Sequence, residues 1–331
     1  MDQNTAAKIY SRVLTPPEHE DEYYFSEGLR SQLARARILC AQVQPLIVFN
    51  GSPGSGRSTL ARWFYEHSSS DQHDVVLVSI FRRQREAGWL LPRIAEFFGL
   101  AVPEQETTAS LLQPVCQKLE ELITEKRSLV IVIDAGEKLE HQNALQELHG
   151  LLHLQSISGH CLSVILLGGD RLNQLVQSNK DLAPYVCYRG DINPLGAADV
   201  ATFLKKSFAK VPNEEFSMPD DLAPLLCGIS QGNFTRLVNL VEACCLEVRL
   251  QQKPFNRDII DAVAENLGYQ ASSEPKPARQ RPKEKDLRPA IHAVQPETGP
   301  AAITPTTTKT VDPAKTSLSD LFQDDETPSR S

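Results

Sequence analysis

Four short apolar runs punctuate the chain: Leu46-Ile-Val-Phe49, Val75–Ile80, Leu129-Val-Ile-Val-Ile133 and Leu162–Leu167. Runs of this length, rich in branched residues and bounded by polar segments, predict strands buried on both faces. Helical spacing fills the intervals. Leu29, Leu33, Ala36 and Leu39 share a face up to Gln42, behind Ser26 in an N-cap position. Further helices are predicted from Ser58 to about His67, around Trp89, Leu90, Ile94, Phe97 and Phe98, over 109–124, over 142–155, and at Leu172–Val176. Tyr185–Ile192 reads as a fifth strand. Strands alternating with helices predict a mostly parallel sheet covered on both faces.

After Pro194-Leu195 the strand signals stop, and 196–209, 219–228, 233–251 and 256–267 all read as helices. Near residue 270 the pattern changes again. Residues 271–331 hold nine of the 22 prolines and a single aromatic, Phe322, too little apolar surface to offset the entropy of ordering. The predicted organisation is an irregular lead-in over 1–25, an α/β domain over 26–195, a helical domain over 196–269, and a disordered Pro-rich tail over 270–331. Within the tail, 316–326 places Leu318, Leu321 and Phe322 at helical spacing among acids, the pattern of a short segment that docks into a partner's groove.

Composition narrows the function classes. Of 331 residues, 41 % are apolar, enough for a sizeable core. The net charge of −8 gives no overall field toward nucleic acid or an anionic membrane and argues against nucleic acid as a partner. The basic stretch Lys276–Arg288 is interrupted by Glu284 and Asp286 and reads as a solvated linker. The seven cysteines show no metal-ligand spacing and read as reduced thiols. The first residues lack the apolar core of a secretory signal, and no apolar run approaches the ~20 residues of a membrane helix. The expectation is a cytoplasmic protein without direct membrane insertion.

The chemistry gathers behind the first strand. Gly51-Ser52-Pro53-Gly54-Ser55-Gly56-Arg57-Ser58, followed by Thr59, fits the phosphate-loop pattern GxxxxGK[ST] except at Arg57. Glycines let backbone N–H groups curl around phosphate oxygens, and the following helix start adds its positive end. The expected ligand is ATP or ADP. Ser58 is the candidate Mg²⁺ ligand in the loop, and Asp134, closing the third strand, is the second. A guanidinium is larger and flatter than an ammonium, so Arg57 is expected to sit outside the cradle or to crowd the terminal phosphate. Glu137, three residues after Asp134, is a further acid able to reach back toward the site.

These passages resemble AAA+ ATPases of the general secretion pathway protein A (ExeA) type, a group that includes pilus-assembly and DamX-like proteins. The resemblance rests on Tyr23-Tyr-Phe-Ser26, the loop GSPGSGRST, the strand VIVIDAGEKL, LLGGDRLNQLV, the Arg189…Asn193-Pro-Leu195 passage and ISQGNFTRLVNL, and it covers roughly residues 20–268. It implies a P-loop parallel sheet with a C-terminal helical lid. It also implies catalytic roles for Asp134, for Arg236 as the lid arginine facing the terminal phosphate, and for Arg189 as a finger reaching a neighbouring subunit; Glu137, three residues after Asp134, is the candidate catalytic acid from its position. Protein partners are implied too, among them a membrane-anchored assembly protein, as is a homo-oligomer. The group usually carries Lys at position 57, Glu at 135 and a polar residue at 169, where this chain has Arg57, Ala135 and Gly169. Loss of a catalytic carboxylate costs roughly 10²–10⁴-fold in rate. The departures imply weak or absent hydrolysis and a regulatory or adaptor role in an envelope- or secretion-related assembly. The alternatives are an ATPase completed by a partner subunit and a scaffold acting through its tail.

Overall fold

The computed structural model describes residues 23–42, 46–68, 71–102, 108–158, 161–209, 221–251 and 255–269. The predicted lead-in up to residue 22, the tail from 270 and its 316–326 segment lie outside the described residues.

Five strands form one parallel sheet: β1 (Leu46–Gly51), β2 (His73–Ser79), β3 (Ser128–Asp134), β4 (Leu162–Gly168) and β5 (Val186–Ile192), in the spatial order β2-β3-β4-β1-β5. Burial along each strand follows from its place. β4 is buried throughout and β3 up to its last residue, because helices cover both faces. The edge strand β5, with the alternating sequence VCYRGDI, buries only Gly190 and Ile192. One face packs Leu46, Val48, Leu129, Ile131, Ile133, Val164 and Leu166 into a core. The other face packs Ile47, Phe49, Val130, Val132, Ile165 and Leu167 against Leu60 and Phe64. The period of two along each strand thus divides one apolar run between two cores.

The helices between strands are α1 (Glu27–Gln42), α2 (Arg57–His67), α3 (Leu91–Phe97), α4 (Thr108–Thr124), α5 (Gln146–Ser158) and α6 (Asp170–Ser178). The predicted elements are present, with shifted boundaries. Trp89 and Leu90, expected inside a helix, lie before α3 because the Glu147 carboxylate accepts both backbone N–H groups at 3.0 and 2.9 Å, capping the helix from a distant segment. Gln142–Leu145 is a 3₁₀ turn preceding α5, and Tyr185 ends another such turn before β5.

After β5 come α7 (Ala197–Ala209), α8 (Leu222–Ser230), α9 (Phe234–Gln251) and α10 (Arg257–Asn266). Their apolar faces form a third core, with Leu204, Leu226, Leu237, Leu240, Val241 and Cys244 at its centre. The chain reaches them through Ile192–Gly196, and Leu195 N donates to Gly232 O at 2.8 Å. All seven cysteines are free thiols. Among the described residues no helix is long and apolar enough to cross a membrane.

Candidate functional site

The turn between β1 and α2 has the backbone of a cradle. Gly54 and Gly56 adopt φ of 78° and 96°, a left-handed conformation that suits glycine. A Cβ on Gly51 would stand 3.1 Å from Ile192 Cβ and 3.2 Å from Arg57 Cγ, so the loop closes tightly only without one. Gly56 is the N-cap of α2 and has no side chain to satisfy the first-turn N–H groups, which leaves them suited to an anion. Ser55 Oγ is buried here with no hydrogen-bond partner. An orphaned hydroxyl inside a glycine cradle at a helix start fits a phosphate ligand. Ser52 and Pro53 are exposed at the tip, Ser58 is exposed and Thr59 half-buried on the first turn of α2.

The acidic strand end lies beside the loop's cation. Asp134 closes β3, and its Oδ1 accepts from Ala135 N at 2.8 Å. Ala135 is left-handed, with φ 60°, and starts a 3₁₀ turn over Gly136–Lys138. That turn aims Glu137 at Arg57. Arg57 Nη1 donates to Glu137 Oε2 at 2.8 Å and Nη2 to Oε1 at 3.0 Å, a two-pronged ion pair with side-chain exposures of 12 % and 33 %. The partner of Glu137 is thus the loop arginine. Gly169 belongs to the same cluster, since a Cβ there would stand 3.5 Å from Arg57 Nη1. Positions 57, 137 and 169 form one neighbourhood, into which Ala135 turns the chain. Asp170 is engaged elsewhere, accepting from Asn50 Nδ2 at 2.9 Å.

Two other predicted residues face different partners. Arg236, in the first turn of α9, is exposed, with its guanidinium 5.4 Å from the Tyr269 ring centroid. Arg189, exposed on β5, donates to Asn173 Oδ1. The residues that touch the loop from the helical side were not singled out in the sequence. Asn233 Nδ2 donates to Pro53 O at 2.7 Å, and Thr235 N donates to Gly54 O at 2.9 Å. The Asn233 amide fills the space a Gly54 side chain would need, with Oδ1 at 2.5 Å from the Cβ position. Asn233 Oδ1 also accepts from Arg236 N at 3.1 Å and so caps α9. An asparagine between a glycine turn and a helix signals that cap in the sequence, but no local pattern signals its contact with residues 53 and 54.

A pocket opens beside the α2 start. Phe25, Leu29, Leu195 and Phe234 give it apolar walls, and Gly56 and Thr59 bring it to the phosphate loop. Tyr24, another wall, is fixed by its hydroxyl, which donates to Asp199 Oδ1 at 3.0 Å, and by an edge contact with Phe203 at 5.7 Å. An apolar slot joined to a phosphate cradle is the shape of a site for a base and its phosphates.

The sheet order, the glycine loop after β1 and the acid closing β3 define a P-loop nucleoside-triphosphatase fold of the AAA+ type. Residues 41–176 match the family described as AAA domain. No curated protein matches the sequence. Among solved structures, the ORC2 protein of Aeropyrum pernix in its ADP form is similar, with 14 % identity, a TM-score of 0.58, and coverage of 78 % of this chain and 72 % of that one. The ORC1 protein of the same organism, in complex with DNA, is similar at 15 % identity and TM-score 0.58, covering 78 % and 69 %. Cdc6p of Pyrobaculum aerophilum is similar at 13 % identity and TM-score 0.56, covering 74 % and 66 %. At these identities the likeness concerns the fold.

Proposed function

We propose that the chain binds ATP or ADP and hydrolyses it weakly or not at all, acting as a nucleotide-dependent regulator or adaptor of other proteins. The observation that carries this reading is the pocket continuous with the phosphate loop at Gly56 and Thr59. Loop N–H groups and the α2 start hold the phosphates, and Phe25, Leu29, Leu195 and Phe234 enclose the base. Ser58 and Asp134 are the side chains that would hold Mg²⁺, which neutralises phosphate charge when bound; few protein ligands are needed, since that ion commonly keeps waters and phosphate oxygens. The helices after β5 act as the lid of this site.

Weak hydrolysis follows from what surrounds the attacking position. Ala135 offers no carboxylate, and Glu137, the nearest substitute, is bound by both oxygens to Arg57. An acid held in that way is poorly placed to accept a proton from water. The resemblance to secretion ATPases supports a protein partner in an envelope-related assembly, including a membrane-anchored one, and a homo-oligomer, with the chain itself in the cytoplasm.

Titration of the full chain with a fluorescent ATP analogue, with and without Mg²⁺, tests the site. Asn193→Trp, at an exposed pocket-lining position, is expected to weaken binding by about tenfold, or roughly 1.4 kcal/mol. Unchanged binding in that variant would place the nucleotide elsewhere.

A further inference from the structure

We propose that the Arg57–Glu137 pair is a latch worked by phosphate: nucleotide phosphates take Arg57 away from Glu137, and the freed acid changes the 135–140 segment and the arginine loop bound to it. This rests on the nucleotide reading above and adds its regulation.

Arg57 is the only cationic side chain between Gly51 and Thr59. It is also mostly buried, held against Glu137 rather than extended into solvent. Its terminal N–H groups fork onto the two oxygens of Glu137 at 2.8 and 3.0 Å. A phosphate presents oxygens with the same charge sign and much the same spacing, and guanidinium forks serve either anion. The two anions compete, since each repels the other at a shared cation. The phosphate also gains the loop N–H groups and the α2 start, which the carboxylate does not use.

The surroundings are built for an exchange of partners. Gly169 leaves the flank of the guanidinium without a side chain. The turn bearing Glu137 is anchored from below: a Cβ on Gly136 would stand 2.7 Å from Leu172 Cδ2 and 3.1 Å from Leu167 O. Lys138 N donates to Ala135 O at 2.9 Å, closing the turn. The turn is therefore pinned at Gly136, behind Glu137, so a change of partner at Glu137 is taken up on its far side, over 137–140.

Beyond the turn, the segment carries the effect to the surface. Gln84 N donates to Lys138 O and Glu140 N to Gln84 O, both at 2.8 Å. Glu140 in turn pairs with Arg83 at 2.9 Å and Arg85 at 3.0 Å. A change in the partner of Glu137 reaches the 81–86 loop, with its exposed Phe81, through two backbone hydrogen bonds and these ion pairs. That loop is the surface through which nucleotide state is read out.

The test is ADP titration by calorimetry, joined to amide hydrogen exchange, on full-length wild type, Glu137→Gln, Arg57→Ala and the double variant. Removing the competing charge in Glu137→Gln is expected to tighten ADP binding by about tenfold. The same change on top of Arg57→Ala should have no effect. ADP should alter exchange at 81–86 and 137–140 in wild type and leave it unaltered in Glu137→Gln. Equal ADP affinity in wild type and Glu137→Gln, or unaltered exchange in both, overturns the latch and leaves the nucleotide site standing. Absence of ADP binding in every protein overturns both.

Discussion

At the scale of single residues, the site turns on departures that compensate one another. Arg57, at the position where the phosphate-loop pattern has lysine, is a planar, forked cation, and Glu137 supplies the carboxylate that satisfies it. A polar side chain in place of Gly169 would sit against that guanidinium. The departures themselves are legible in the motifs, because the motifs fix their spacing. Their compensation is not, because residues 57 and 137 are 80 positions apart and nothing local joins them. Ala135 carries its own cost, since a non-glycine residue in the left-handed region loses roughly 1–2 kcal/mol. Ala135→Gly is expected to raise stability by about 0.5 kcal/mol after the entropy that glycine loses on folding is subtracted. Thermal melts check it, and a lower melting temperature in the variant would show that the methyl group packs productively.

Among the elements, the loop–helix–strand unit around residues 46–67 and the start of α9 work together. The phosphate loop is held from its outer side by Asn233 Nδ2 on Pro53 O and Thr235 N on Gly54 O. Asn233→Ala removes a cap worth about 1 kcal/mol and the contact with the loop at once. The expected result is a lower melting temperature together with weaker nucleotide binding; a drop in stability with unchanged binding would make Asn233 a cap only. The central strands were readable because burial on both faces demands unbroken apolar runs, as in Leu129–Ile133. The start of α3 was not, because its cap is Glu147, which reaches Trp89 N and Leu90 N from the beginning of α5. The place of Arg236 was also beyond the sequence. The resemblance implies a lid arginine at this position, and Tyr269, 33 residues on, supplies the ring it lies over.

For the molecule as a whole, contacts far apart in sequence join the segment before α1 to both α2 and the helices after β5. Tyr23 OH donates to Glu66 Oε2 at 2.6 Å, and Tyr24 OH donates to Asp199 Oδ1 at 3.0 Å. Burial by itself pushes the Glu66 carboxyl up, but hydrogen bonds from Tyr23 and Arg62 outweigh it and hold it below the ordinary carboxylate range. A carboxyl lowered on folding adds stability above its unfolded value, about 4.3, and that stability is lost as pH falls through the folded value. Glu140 acts in the same direction, held down first by the Arg85 hydrogen bond and then by the charges of Arg83, Arg85 and Arg171. Melting temperatures of wild type and Glu66→Gln, followed from pH 7 to pH 3, should converge as the pH falls; a constant gap would show that packing, and not charge, sets the contribution of Glu66. Tyr23-Tyr24 is legible in the sequence only as part of a resemblance, while the place of Tyr24 in the pocket wall emerges only from the fold.

The central claim is that this chain holds nucleotide without turning it over. The direct measurement is phosphate release by full-length protein whose nucleotide occupancy has been measured in the same sample, with ATP and Mg²⁺ in excess. The account predicts saturable occupancy with release at the level of a protein-free control. Turnover at about 1 s⁻¹ or faster, within the ordinary range of enzymes, would contradict it and make Arg57 and Glu137 working parts of an ATPase.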